Sequence, residues 1–600
     1  MATAAGTLPQ TYEESNLWTW LTTVDHKKIG VLYGVSGFAF FLLAGIEALL
    51  IRTQLAVPNG TVIDAERFNQ LFTMHALTMI FLAIMPMGAA FFNYFLPLMI
   101  GARDVAFPRL NALSYWVFLS GALILTSSFI FGGAPDGGWF AYAPLTSEIY
   151  SPGSGLDFYV VGLAILGISS LMASLNFAVT VINMRAPGMS MMRLPVFIWM
   201  MLVVNFLLIL SLPVITVALI QLLFDRNFTT NFFTPGEGGD PILWQHLFWV
   251  FAHPEVYVLI LPSMGIVSEV LPVFARKPLF GYAAVVFAGV TIAVLGFAVW
   301  AHHMFTTGLD TVPQVVFSAS TMAIAVPTGI KIFNWIGTLY GGSIRFTTAM
   351  YFAVSFIALF TIGGLSGVMH ASPPVDTQQQ DSYFIVAHIH YVLFGGAIVG
   401  IFAGIYYWFP KMTGRFLDET LGKIHFWLLF IGMNMTFFPM HFLGIAGMPR
   451  RIYTYDADLG WDEWNLVATI GSYILGFSIL VFLINFFATM RKEPSAPNNP
   501  WDGGTLEWAT TSPPPEHDFD VVPVVRDRDP VWYDRDHNIA PPEVPANLHI
   551  HLPPPSYFPL VLAGGVALIG IGVLSHLAVT VLGAVVAIYA VWGWALEPTD

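Results

Sequence analysis

Six histidines lie within apolar stretches of membrane length, in settings that suit metal binding. They are His75 in the run Thr73 to Ala76, His253 in the run Ala252 to Tyr257 (AHPEVY), the adjacent His302 and His303 in the run Trp300 to Phe305 (WAHHMF), and His388 and His390 in the run Ala387 to Tyr391 (AHIHY). An ionisable side chain in hydrocarbon is costly and marks function by default. Imidazole is also the commonest protein ligand for metals. The six together predict metal chemistry in the interior of a membrane.

Spacing divides their work. At about 100° per helical residue, His388 and His390 point to nearly opposite sides, so one helix could serve two metal centres. The bland alternative is two polar residues bonded to neighbouring helices. His253 and Tyr257, four apart, share a face. His302 and His303 could close on one ion near the outer end of a span, and three imidazoles on one metal suit copper, zinc or non-haem iron. A tyrosine beside that metal is a plausible donor of an electron and a proton; standing alone it would read as an interface or core hydroxyl. Glu255 faces away from His253, and a carboxyl buried in a bilayer exchanges protons easily. Lys331, within Pro327 to Lys331 (PTGIK), is a second isolated ionisable group, and buried lysines lose their charge readily. Snorkelling to an interface is the alternative, but Lys331 is mid-span and the side chain of Glu255 is short.

These groups must be positioned by membrane helices. The 600 residues are 56% hydrophobic and 10% charged, with mean hydropathy +0.70, whereas soluble domains carry about 25% charged residues. The chain is expected to be an all-α polytopic membrane protein. It has no cysteine, which excludes disulfides, thiolate catalysis and cysteine-ligated zinc or iron–sulfur clusters within it. The net charge of −14 does not suggest nucleic acid. No cleaved signal is apparent before Lys28. A span needs about 20 apolar residues. Candidates cover roughly 29–52, 70–100, 110–132, 156–184, 192–224, 243–271, 279–303, 313–340, 346–370, 382–409, 420–446 and 464–490.

A Pro- and Asp-rich stretch, about 491–556, has no helical period and is expected to wrap the surface as extended chain. The last apolar run, 559–596, would be about 57 Å as one helix, too long for one crossing. Two spans hinged near Ser575–His576 fit better and bring the total to fourteen. The organisation is then an N-terminal segment 1–28, a core 29–490, a tail 491–556 and a terminal pair 557–600. With the N-terminus inside, inner loops hold fourteen Lys and Arg and outer loops five; this asymmetry places both termini in the cytoplasm.

Several motifs resemble subunit I of the haem–copper oxygen reductases, in the branch of mitochondrial and bacterial cytochrome c oxidases. They are Trp249 to Pro262 (WVFAHPEVYVLILP), Trp300 to Gly308 (WAHHMFTTG), Ile324 to Trp335 (IAVPTGIKIFNW), Ala387 to Leu393 (AHIHYVL), Gly101 to Asn111 (GARDVAFPRLN) and Gly447 to Arg451 (GMPRR). The resemblance covers about 15–490 and implies a twelve-helix core, with the tail and two extra C-terminal helices as a bacterial extension. It implies that His75 and His390 ligate a low-spin haem and His388 a high-spin haem. His253, His302 and His303 would hold copper B, with His253 cross-linked to Tyr257. Arg450 and Arg451 would pair with haem propionates near Trp139. Arg52 would contact the formyl side of the low-spin haem, or merely end the first span.

Two proton inputs are implied. One starts at Asp104, passes Asn93, Asn111, Asn176, Ser169 and Ser170, and ends at Glu255; the other uses Ser268, Lys331 and Thr328 to reach Tyr257. Each Asn or Ser alone would read as a packing group. The implied activity is terminal oxidation: O2 reduced to water, with proton pumping, in a bacterial inner membrane. The implied partners are a second subunit carrying a binuclear copper site, fed by cytochrome c or an associated c-type cytochrome, together with subunit III-like and small subunits and membrane lipids. The haems would be of A type.

The chain also departs from the family. Gln380–Asp381 stands where His–Asp is common, which leaves Asp381 as the ligand for an outer magnesium. Leu43 and Arg67 stand where quinol oxidases carry Arg and His, although Glu47 and Gln70 suit a quinol. His246, His370, His425, His441 and His576 receive no metal role. The rivals are a quinol oxidase, a nitric oxide reductase relative, and a redox-inert transporter whose histidines only move protons.

Overall fold

In the computed structural model, which describes residues 16–545 and 548–598, the described residues hold fourteen apolar helices and no strand. Most of the expected N-terminal segment 1–28 therefore lies outside the described residues. In chain order the apolar helices are α1 (His26–Gln54), α2 (Ala65–Ile100), α3 (Pro108–Ser127), α4 (Gly155–Asn183), α5 (Val196–Asn227), α6 (Pro241–Ala275), α7 (Tyr282–Gly296), α8 (Thr311–Leu339), α9 (Thr348–His370), α10 (Tyr383–Thr413), α11 (Glu419–Ile445), α12 (Asp462–Met490), α13 (Phe558–Leu574) and α14 (Leu577–Leu596). All but α7 and α13 are long enough to cross a membrane.

Helix α6 is the axis of the molecule. Its most apolar window is 94% buried, against 17% for α8 and 11% for α14. It carries His253, Glu255 and Tyr257, and it packs on α5, α8, α9 and α10. Helix α8 buries only Ile324, Pro327, Lys331, Asn334, Trp335 and Thr338, one stripe at helical spacing. Lys331 lies in that stripe and is fully buried.

Two helices contain π-helical turns, Thr78–Ile84 in α2 and Leu393–Ile398 in α10. Each begins three residues beyond a candidate ligand, His75 and His390 respectively, and such bulges favour functional sites.

Three expectations change. The span 279–303 is not one helix: α7 stops at Gly296, and a separate 3-10 turn, Trp300–Met304, carries His302 and His303. A Cβ at position 296 would lie 3.0 Å from the ring of Tyr257, so glycine lets the two approach. The span 110–132 ends at Ser127. The tail is more than an extended surface wrapping. It contains the short helix Pro530–Asp536 and a 3-10 turn, Leu506–Ala509, and it buries Trp508, Glu507 and Asp518. The terminal pair hinges at Ser575–His576 as expected. Helix α13 packs on α3 and α4, and small residues such as Gly565 and Gly583 admit the backbone of its partner, as in membrane helix pairs.

Candidate metal and proton-transfer site

His253, His302 and His303 converge from α6 and the 3-10 turn, with one nitrogen from each within 4.8 Å of the others. His253 Nδ1 is 3.2 Å from His303 Nε2, and His302 Nε2 is 3.0 Å from the same atom. Ligands at about 2 Å from one tetrahedral metal stand about 3.3 Å apart, so the set fits a single ion. The tautomer of His302 agrees. Thr321 donates its hydroxyl proton to Phe317 O, so it must accept from His302 Nδ1 at 2.8 Å, leaving His302 Nε2 bare. Trp249, one turn before His253, stacks on His303 with ring centroids 3.8 Å apart and donates to Tyr142 OH. His253 and Tyr257 meet edge to face at 4.6 Å, and His253 Nε2 is buried without a partner among the described residues.

The remaining histidines are anchored through backbone carbonyls. His75 Nδ1 donates to Ala44 O at 2.9 Å, His390 Nδ1 to Val386 O at 2.7 Å, and His388 Nδ1 to Gly363 O at 3.0 Å. A carbonyl can only accept, so each ring carries its proton on Nδ1 and presents Nε2 as a ligand. The rings of His75 and His390 face each other at 6.2 Å between centroids, 12° from parallel. The pair, both with Nε2 free, are the residues that would hold one haem between them. His388 points elsewhere: its ring is 5.0 Å from that of His370.

Part-buried cations gather in the loop between α11 and α12. Arg450 lies 3.9 Å from Asp381, and its backbone N–H donates to Asp381 O. Arg451 bonds Asn69 and Asp136 O, and its guanidinium lies against Gly138, beside Trp139. Burial pulls both guanidiniums below their ordinary value, opposed by Asp381 for Arg450 and by Asp136 for Arg451. Two part-buried cations call for further anions, and propionates fit. Arg52 donates to Asn465 and Thr469 from one amino group, while its Nε and Nη1 are buried without partners among the described residues; these orphan donors suit an acceptor such as a formyl group. The side chain of Asp381 is 68% exposed, and no three-ligand set among the described residues includes it.

Some residues of the first expected proton route are hydrogen-bonded to one another or to a neighbour. Asn111 donates to Asn93 at 2.7 Å, and Ser169 donates to Ser114 O at 2.6 Å. A cavity of about 90 Å³, lined by Tyr33, Ser169, Ser170, Phe251, Val258 and Leu259, follows. That is room for several waters. Phe251, Val258 and Leu259 flank Glu255 on its own face of α6. Both oxygens of Glu255 are buried without partners among the described residues. Asp104 accepts from Val105 N, and burial pushes its carboxyl up to about 7 against the pull of nearby His26. Asn176 is not joined to the other asparagines; it clamps the backbone of Phe107.

Among the residues of the second expected route, Ser268 accepts from Trp335 at 2.9 Å. Lys331 Nζ meets the Met200 and Met264 sulfurs at 2.9 and 3.5 Å. Thr328 bonds its own helix.

Sequence reasoning missed Tyr33, Ser114, Thr321, Trp249 and Tyr142. Only Trp249 had a signal, its place one turn before His253.

A family model described as cytochrome C and quinol oxidase polypeptide I matches residues 28–474. Cytochrome c oxidase subunit 1 of Bacillus sp. (strain PS3) is 51% identical over 582 residues, covering 95% of this chain and 94% of the relative. That of Bacillus subtilis (strain 168) is 51% identical over 563 residues, covering 93% and 90%. A solved heme-copper terminal oxidase dimer shares the fold with TM-score 0.63 at 17% identity, covering 80% of this chain and 85% of its own.

Proposed function

Because the chain belongs to the family of cytochrome c and quinol oxidase polypeptide I, we propose that its converging histidines form the oxygen-reducing centre and its two polar routes supply that centre with protons. The protein is subunit I of a multi-pass terminal respiratory oxidase, and it associates with other subunits such as subunit II. His253, His302 and His303 would hold copper B, His388 a high-spin haem, and His75 with His390 a low-spin haem. When bound, these groups supply electron transfer and O2 reduction. The chain does the rest. The carbonyls of Ala44, Val386 and Gly363 fix the imidazole tautomers. Trp249 holds the His303 ring in place. Arg450 and Arg451 would neutralise propionates, and the unpartnered Nε and Nη1 of Arg52 would donate to the formyl group of an A-type haem. Tyr257, packed on His253, offers a proton and an electron, and the orphan His253 Nε2 is the atom available for a link to it.

Glu255 receives protons from Asp104 by way of Asn93, Asn111, Ser114, Ser169 and the cavity beside Ser170. Lys331 serves Tyr257 with Ser268 and Thr328. The cation asymmetry supports a reading with both termini in the cytoplasm, and the membrane would be the bacterial inner membrane. A second subunit with binuclear copper would pass electrons from cytochrome c, and an outer magnesium at Asp381 would need ligands from that subunit. The convergence of three imidazole nitrogens within 4.8 Å carries this reading. The test is turnover of the purified complex with reduced cytochrome c and with quinol: oxidation of cytochrome c is expected, and turnover by quinol alone would overturn the donor assignment.

A further inference from the structure

The tail returns to the mouth of the Asp104 route, although it lies beyond the stretch that defines the family. Asp518 is fully buried there and touches the first turn of α1. Its Oδ2 is 2.9 Å from His26 Nε2, and its Oδ1 accepts from Lys27 Nζ at 2.7 Å. The other nitrogen of His26, Nδ1, is 2.7 Å from the backbone oxygen of Asn93, the asparagine that accepts from Asn111. Lys27 also donates to Glu516 O, and Arg103 donates to the Phe519 and Asp520 carbonyls. Asp25, Lys27, Tyr94, Arg103 and Asp104 complete the groups facing the pair.

Proton counting makes this contact more than a latch. The carbonyl of Asn93 can only accept, so His26 Nδ1 carries a proton. The second contact, between Nε2 and a carboxylate oxygen, needs a further proton, held either on the imidazole or on the carboxyl. When that proton leaves, the imidazole is neutral and the carboxyl is charged. Lys27 Nζ, 3.4 Å from the same Nε2 and already bonded to Asp518, then supplies a donor to both. The cluster can therefore hold and release one proton without a change of fold.

We propose that His26 and the tail residue Asp518 together hold one exchangeable proton at the cytoplasmic mouth of the Asp104-to-Glu255 route, so that the tail is part of the proton-uptake machinery. The proposal rests on the reading of that route given above. It also explains why a carboxylate on a Pro-rich segment is fully buried beside an imidazole, where a backbone carbonyl would dock the tail as well.

The test uses the intact complex carrying Asp518→Asn. The asparagine still accepts from Lys27 but cannot share the proton. Proton uptake during oxidation of the reduced enzyme is expected to slow by about tenfold, with a changed pH profile. Anaerobic reduction of the active site, which draws on Lys331, should keep its rate, and the tail should stay protected from protease. Asp518→Glu should restore uptake to within about twofold. Normal uptake and an unchanged pH profile in Asp518→Asn would overturn the proposal. So would equal slowing in both variants with the tail released, because that is the behaviour of a latch. Asp104→Asn separates the two readings: if it leaves uptake unchanged, the route itself is wrong; if it slows uptake while Asp518→Asn does not, only the present inference fails.

Discussion

The two proposed proton routes are built on opposite principles. The proposed route toward Glu255 combines side-chain amides, a hydroxyl and a backbone carbonyl, Asn111 on Asn93 and Ser169 on Ser114 O, with a cavity of about 90 Å³. The route through Lys331 has one titratable amine whose partners among the described residues are the sulfurs of Met200 and Met264. Thioethers are weak acceptors, so a charged amine there is poorly compensated. The first route spreads the work over many weak groups and water, and loss of one rung leaves others. The second concentrates it on one atom.

That contrast orders the expected losses. Lys331→Met keeps the apolar wall and removes the amine, so reduction of the active site should slow by about 10³-fold; normal reduction kinetics would take Lys331 off the path. Glu255→Gln removes the terminus of the first route, and turnover should fall about 100-fold with proton release lost; unchanged proton release would contradict the role. Asp104→Asn should lower turnover about tenfold. The carboxyl of Asp104, held up to about 7 by burial, is protonated below that pH and empties above it. Turnover should therefore decline as pH rises through about 7, and that step should be absent from the Asp104→Asn profile; a profile of the same shape in the variant would refute it. Ser169→Ala removes one rung, and turnover should stay within about twofold. A loss as large as that from Lys331→Met would erase the distinction between the routes.

Regular helices made much of this legible in the sequence. His388 and His390 face apart, and His253 shares a face with Tyr257, because both pairs sit where 100° per residue holds. The fourteen apolar helices followed from run length, including the hinge at Ser575–His576. The 3-10 turn of His302 and His303 was hidden, because Phe297 to Val299 are as apolar as the helix they interrupt. Tyr33 and Ser114 were invisible, since a hydroxyl on a helix looks like packing until a neighbour faces it. The contact of Asp518 with His26 spans 492 positions, and no local pattern can reveal such a pair. Burial of Trp508 and Glu507 was likewise masked by a Pro- and Asp-rich composition that suggests a surface.

The central claim is that three imidazoles from α6 and the adjoining 3-10 turn hold one copper apart from the haem ligands. Copper and haem are best quantified in the purified complex and in its His302→Ala variant. One copper fewer per complex in the variant, with the low-spin haem spectrum intact, is the predicted result. Copper retained at full occupancy, or loss of the low-spin haem along with it, would contradict the assignment.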